Sequence, residues 1–536
     1  MFWVDEIVED IIKKYPEKDS FLITDWWTPS GHAHFGGLRG PLIHDIIRRG
    51  LSEKKKKAIF KFGIDDFDPM DGLPVYVDKS FSKYMGIPLN KIPAPDGKNK
   101  SFAEQYTNEF KNILQSLGGE IEFVSVYEAY KAGKYNESIK LILDHTKEIR
   151  SIYKEISGSE KGEDWYPFQV VCPNCGKIGT TIVTDWDGDE VEFTCREDLV
   201  EWAKGCNFKG KLSPFDGNGK LLWRVEWPSK WFVFGSEVEG EGKDHFAAGG
   251  SRDVADRIFR DIFKKTPPYD IRYEHLLIGG AKMSSSKGLG VTAQNMFDLL
   301  PANILRFLFA RTKIKRALEF NPDGETISLL YDEYDRCLLD FQSDHKLDTS
   351  RAFYFSEIDP KKEQPKYLLR FSKIAYMLQM PRVDIFEYAK QEKASEAKSL
   401  EAEGEVGGAA LSDIEKKEIE SRIEIAKKWL KKFAPDSYRF TVQQELPEVA
   451  KKLTRSQQEF MEKILNIFQS KEKWTGEDLH KQIHNIKNSM EINPRDAFSA
   501  IYLTFIGKDS GPQAGWLLAS LEREFVIKRL KEATDA

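Results

Sequence analysis

The chain has 536 residues, 40% apolar and 31% charged, with 80 basic against 86 acidic side chains and a formal charge of −6. At roughly 150 residues per domain this length implies three or four folding units, and the composition excludes a wholly disordered chain. No run approaches the ~18 uncharged apolar residues of a membrane span, the segment Met1–Glu6 lacks a basic-then-apolar leader pattern, and five cysteines make no disulfide framework. The expectation is a cytoplasmic protein with no membrane partner. The net charge points to no nucleic acid, so any such partner must be read from motifs.

Val4, Ile7, Val8, Ile11 and Ile12 give the periodicity of an amphipathic helix over 3–14. Ser20–Ile23 reads as a buried strand, followed by the turn Thr28-Pro29-Ser30-Gly31, a helix from Gly36–Leu38 to Arg49, and a strand Ala58–Ile64 ending in Asp65-Asp66-Phe67-Asp68. Strand, loop, helix, strand opens an α/β, Rossmann-type doubly wound parallel sheet, whose ligands lie at the carboxyl ends of its strands. Residues 69–100 read as an irregular loop, 102–117 as a helix, 121–126 as a strand, and a long helix follows from Asn136. Between about 165 and 212 short strands, tryptophans and four of the five cysteines mark an inserted module. Parallel α/β character resumes near Leu221, and the chain beyond about 295 is mostly helical, a C-terminal all-α domain. Residues 389–411, rich in Ala, Glu, Lys, Gly and Ser, predict a disordered or exposed connector. The division expected is a split α/β domain (1–90 and 212–290), an insertion (91–211), a connecting helical region (291–345) and a helical domain (346–536).

Two segments carry chemistry. In Thr28-Pro29-Ser30-Gly31-His32-Ala33-His34-Phe35-Gly36-Gly37, between a strand and a helix, glycines admit a phosphate or a flat base, the helix start favours anions, and His34 can donate to a phosphate oxygen. In Gly279–Gly288, Lys282 and Lys287 with Ser284, Ser285 and Ser286 make a cationic loop rich in hydroxyl donors. Either could be an ordinary surface turn; together they specify a triphosphate held between His34 and the two lysines.

The first segment resembles the "HIGH" signature and Lys282–Ser286 resembles "KMSKS", the pair that marks class I aminoacyl-tRNA synthetases. WTPSGHAHFGG, WRVEWPSKW, GEGKDHFAAGG, YEHLLIGGAKMSSSKG and the C-terminal NPRDAFSAIYLTFIGKDSGPQAGWLLASLEREFVIKRL are similar to the class I lysyl-tRNA synthetases. Gly37 departs from the signature, where a His or Asn is usual, and Ser285 stands where a second lysine is usual, leaving Lys287 as its replacement. The resemblance implies ATP with Mg²⁺, L-lysine and tRNA(Lys) as partners, an adenylate intermediate and a monomer. It implies His34, Lys282 and Lys287 as catalytic residues, and Gly31, Gly36, Gly37, Asp244, Met283, Ser284 and Ser286 around ATP. It further implies an acceptor-end role for the insertion, a stem-contact role for 291–345 and anticodon binding by the helical domain.

A lysine pocket must compensate an ammonium with carboxylates, hydroxyls or aromatic faces. Trp223-Arg224-Val225-Glu226-Trp227 supplies aromatics and an acid, and the resemblance adds Thr28, His245, Tyr273 and Glu274. Taken singly, Trp223 and Trp227 also read as core residues, and Glu226 as a partner of Arg224. A glutamyl-tRNA synthetase is the nearest rival; it would want an arginine just upstream of the first motif, where FLITDWWTPS offers Asp25 instead. A non-tRNA adenylate-forming ligase is the other alternative, although such enzymes are usually much shorter. Cys172, Cys175, Cys195 and Cys206, spaced C-x2-C-x19-C-x10-C, predict a structural tetrahedral zinc, with unpaired buried thiols as the alternative.

Overall fold

A computed structural model describes residues 1–278, 281–282, 291–401 and 410–535. Met283, Ser284, Ser286 and Lys287, expected at the site, and linker residues 402–409 lie outside the described residues. By backbone contacts the chain forms one unit of Met1–Phe320 with Cys337–Pro360, and a second of Asn321–Arg336 with Lys361–Ala536. No helix among the described residues is long and apolar enough to cross a membrane.

The main sheet of the first unit has five strands: β1 (Ser20–Trp27), β2 (Lys57–Ile64), β3 (Ile121–Ser125), β4 (Val238–Gly242) and β5 (Tyr269–Tyr273). All neighbours are parallel, in the order β5-β4-β1-β2-β3. From the other edge this is 3-2-1-4-5, the doubly wound order whose direction reverses between β1 and β4 and opens a crevice at their carboxyl ends. Phe21, Ile23, Phe60 and Phe62 are buried on the strands, as a sheet covered on both faces requires. A short 3₁₀ turn, Phe35–Leu38, leads from β1 into helix α1 (Arg39–Glu53). Gly40 lets that helix approach the crevice, since a Cβ there would stand 2.7 Å from the Asp25 carboxylate and 2.9 Å from the Tyr273 hydroxyl. Asp45 on α1 is locked by Arg306, which donates to it at 2.8 Å and to the Leu117 and Phe355 carbonyls at 3.1 and 3.2 Å. Although burial opposes ionisation, Arg306 and Arg48 hold the Asp45 carboxyl below its ordinary pKa.

Two expectations change. The helix from Asn136 is two, Asn136–Asp144 and Thr146–Ser157; the Thr146 hydroxyl turns back onto the Leu143 carbonyl at 2.8 Å and the chain bends at His145. Residues 389–401 are not a disordered connector but part of a helix, Ile385–Glu401. Ala389 and Ala397 are buried on it, and Lys393 pairs with Glu415 at 2.7 Å. Ala, Glu and Lys are strong helix formers, so a composition poor in large apolar groups still makes a helix once small alanines find a surface to pack on.

The insertion holds a three-stranded antiparallel ribbon, Thr181–Trp186, Val191–Cys195 and Lys209–Leu212, around Val183, Val191 and Phe193. The second unit is helical, with helices at Asp413–Lys432, Arg455–Ser470, Gly476–Asn488, Pro494–Ile506, Ala514–Ser520 and Arg523–Asp535 among others.

Candidate active site

A cavity of about 450 Å³ opens at the carboxyl ends of β1 and β4 and is lined, among others, by Thr28, His34, Trp223, Asp244, His245 and Tyr273. These six, all singled out from the sequence, are thus brought together from four separate chain segments.

His34 caps the 3₁₀ turn, and its Nδ1 accepts from the Gly37 N–H at 3.0 Å. An imidazole nitrogen that accepts is unprotonated, so the proton of the neutral ring sits on Nε2 as a donor. The space above Gly37 is open, for a Cβ there would meet nothing within 4 Å. The backbone around His34 is stitched to the far side of the cationic segment: Phe35 N–H donates to the Val291 carbonyl at 2.9 Å, Ala293 N–H to the Ala33 carbonyl at 2.8 Å, and His34 bridges Thr292. At the near side, the backbone of Ala281–Lys282 pairs antiparallel with Ile278 and Leu277. Both described ends of the lysine-serine segment are therefore fixed, the return end directly on the first signature.

The aromatic wall comes from helix α2 (Trp223–Phe234), which carries Trp223, Trp227 and Trp231 one turn apart. The ring centroids of Trp223, Trp227 and His245 lie 5.5–5.6 Å from one another, a box suited to a cation. Behind it, Glu239 on β4 is 1% exposed and accepts from the indole N–H groups of Trp26 at 2.8 Å and Trp231 at 2.9 Å, from Trp227, and from the Thr24 hydroxyl. Four donors saturate the carboxylate's four lone-pair sites. Glu239 thus orients three tryptophans and leaves a buried negative charge behind the cavity. Two residues on, Glu241 pairs with Arg252 at 3.0 Å, and burial pushes its carboxyl up to about 9. Burial likewise pushes Asp65, at the end of β2, up to about 6 although Lys230 stands 2.5 Å away. Below the floor, fully buried His44 on α1 accepts the Gly240 N–H on Nε2 at 2.8 Å and faces the Gly40 carbonyl from Nδ1 at 2.7 Å, tying β4 to the helix.

Two predicted pocket residues stand elsewhere. Glu226 is 1% exposed; its carboxylate is taken by Lys220 at 3.1 Å, Lys230 at 3.4 Å and the Tyr130 hydroxyl at 2.8 Å. Glu274 pairs with Lys243 at 2.9 Å. Gly31 and Gly36 lie in the His34 loop and turn. The lining also includes Asp25, Asp65, Glu239 and Glu241, acids that the sequence reasoning misses as ligands. The signal was available for two of them: Val-Glu-Gly-Glu-Gly puts two glutamates on one face of a central strand, where burial would otherwise be prohibitive.

In the insertion, the Cys172 and Cys206 sulfurs are 3.6 Å apart and those of Cys175 and Cys195 3.7 Å, and all four lie within 4.8 Å of one another. Gly176, at φ +74°, closes the first turn. Cys337 is buried on its helix, away from this group.

A doubly wound sheet with a histidine-glycine turn and a cavity at its switch point defines the nucleotide-binding domain of a class I synthetase. Residues 1–358 match the family described as tRNA synthetases class I (K), and 417–534 match the anticodon binding domain. The chain belongs to the class I tRNA synthetases (K). It is similar to the lysine–tRNA ligases of Methanosarcina barkeri (33% identical over 99% of this chain and 98% of the relative) and Archaeoglobus fulgidus (32%, over 99% and 100%). A solved glutamate tRNA ligase from Elizabethkingia meningosepticum aligns over 96% of this chain and 99% of that chain at 12% identity and a TM-score of 0.41, too slight a likeness to bear on specificity.

Proposed function

We propose that the chain joins L-lysine to tRNA(Lys) in two steps at this cavity. The lysine carboxylate attacks the α-phosphorus of ATP and releases pyrophosphate; a 3′-terminal hydroxyl of the tRNA then takes the lysyl group and releases AMP. No protein nucleophile is required, so catalysis is positioning plus stabilisation of charge on phosphorus. His34 donates from Nε2 to the phosphates, Gly37 leaves room beside them, and Lys282 and Lys287 neutralise the charge that grows as pyrophosphate departs. Mg²⁺ arrives with ATP, held mainly by the phosphates. Thr28, Trp223, His245 and Tyr273 surround the amino acid, and Asp244 with the signature residues faces the nucleotide.

One observation carries the choice of lysine: an aromatic box backed by the buried Glu239 carboxylate, with Lys230, the ammonium on its lining, already paired to Asp65. A glutamate side chain would meet this field with the wrong sign. Pyrophosphate exchange with each of the twenty amino acids, with and without tRNA, tests it; exchange driven by glutamate and not lysine reverses the specificity. In this reading the protein is a cytoplasmic monomer.

The four clustered cysteines suit a structural zinc. A tetrahedral ion with Zn–S of ~2.3 Å sets sulfurs ~3.8 Å apart, close to the two spacings given above. Cys172, Cys175, Cys195 and Cys206 would hold the ion and join the turn at 172–176 to the ribbon. Less than about half an equivalent of zinc in the purified protein rejects the site.

A further inference from the structure

We propose that the four-cysteine cluster is a peroxide-responsive modification site whose oxidation displaces Thr28 at the active-site cavity. The inference rests on the zinc and lysine readings above.

The four sulfurs are not equivalent. Cys172 and Cys195 are 0% exposed, whereas Cys175 and Cys206 are partly exposed. The two short spacings each join one of either kind, Cys206 to Cys172 and Cys175 to Cys195. Each sulfur that an oxidant can reach therefore has a sheltered sulfur beside it to resolve the product, as reversible thiol oxidation requires. The thiolate of Cys175 or Cys206 attacks one peroxide oxygen, forming a sulfenic acid and releasing hydroxide. The thiolate of Cys195 or Cys172 then attacks that sulfenic sulfur, releases a second hydroxide and closes a disulfide. Two peroxides thus take four electrons from four thiolates, giving two disulfides and four hydroxides, and no thiolate remains to hold the ion. Both disulfides run from the turn at 172–176 to the ribbon side of the module. Sulfurs at 3.6 and 3.7 Å must close to about 2.05 Å, so the turn is drawn toward the ribbon.

Two routes tie that turn to the cavity. On one side, the Ile178 N–H donates to the Gly86 carbonyl at 2.8 Å, the Gly86 N–H to the Met70 carbonyl at 2.9 Å, and the Leu89 N–H to the Asp68 carbonyl at 2.9 Å. Gly86 is wedged between the two halves of the cluster, for a Cβ there would stand 3.2 Å from both Lys177 and Ala203. On the other side, the strand Phe168–Val170, which leads into Cys172, pairs antiparallel with Gly219–Leu221, and the Lys220 ammonium donates to the Asp68 carboxylate. Both routes end on Asp68, whose carboxylate accepts the Thr28 hydroxyl at 2.8 Å. Zinc-held thiolates and closed disulfides give the turn two discrete positions, the two-state element that coupling between sites needs.

The test exposes the full, zinc-loaded chain to hydrogen peroxide. It follows zinc release with a chromogenic chelator, disulfide pairing by mass spectrometry, and KM for lysine in lysylation. Zinc should leave, the metal-free chain should lose ~4 Da, two hydrogens per disulfide, and the joined peptides should pair Cys172 with Cys206 and Cys175 with Cys195. KM for lysine should rise ~3–10-fold, the worth of one displaced hydrogen bond, and a thiol reductant with added zinc should restore it. The double variant Cys175→His, Cys206→His keeps four zinc ligands without the reachable sulfurs, so the same dose should leave its zinc and its KM unchanged. Should that variant fail to take up zinc, the wild-type peptide map still decides. Intact thiols, or a Cys172–Cys175 bond within the turn, overturn the proposal, as does zinc release with KM unchanged. The same two disulfides in a protein purified without zinc overturn the zinc reading alone. A reduced enzyme that charges no tRNA with lysine overturns the lysine reading before any oxidant is added.

Discussion

Replacing Glu239 by glutamine isolates the charge behind the aromatic box. The carboxylate touches only Trp26, Trp227, Trp231 and Thr24 on its four acceptor sites, so it acts on a bound ammonium through space. For a unit charge about 8 Å away, across an indole, an effective dielectric constant of about 20 gives about 2 kcal/mol, or ~30-fold in lysine affinity. The amide also turns two hydrogens toward two donors, and each donor left unsatisfied costs about 1–3 kcal/mol of stability. Two measurements separate these effects: KM for lysine in pyrophosphate exchange, and the inhibition constant of norleucine, which shares the chain but lacks the ammonium. Glu239→Gln should weaken lysine by ~30-fold and norleucine by less than about threefold, with kcat little changed. Equal weakening of the two ligands would sink the electrostatic argument and leave Glu239 as a prop for the tryptophans.

Other predictions follow from neighbouring geometry. Asp65 ionises at about 6 in the folded protein, so KM for lysine should rise as pH falls through about 6, and Asp65→Asn should abolish that acid limb. For stability the sign is opposite: an acid whose folded pKa is raised costs stability as pH rises from about 4 to about 6, so wild type should lose stability over that window relative to Asp65→Asn in chemical denaturation. On the proposed role of His34 as a donor to the phosphates, His34→Ala should cut kcat ~100–1000-fold with lysine KM nearly unchanged. Arg306→Met leaves Asp45 buried without its main partner and should cost about 3–5 kcal/mol in urea unfolding.

Features encoded locally were legible in the sequence. The β1–α1 turn, β2 and the acids at its end are contiguous, their periodicity is strong, and the two signatures fell at strand ends where a doubly wound sheet places its ligands. The misplacements arose where partners are remote. Glu226 sits between two tryptophans in sequence, and nothing there announces Lys220 or Tyr130 as its partners. Glu274 follows the last residue of β5, and Lys243, remote in sequence, claims its carboxylate. The helix at 385–401 was hidden by ambiguity of another kind, because alanine, glutamate and lysine describe a solvated linker and a good helix equally well.

The hydrogen bonds that join Ala33–Phe35 to Val291–Ala293 make the histidine and the landing point of the lysine-serine segment a single mechanical piece. A substitution at Val291–Ala293 is therefore felt at the histidine turn, and one at Ala33–Phe35 at the point where the chain returns. Two stretches about 260 residues apart in the chain thus register against each other through main-chain bonds alone, which no side-chain replacement on either strand removes directly.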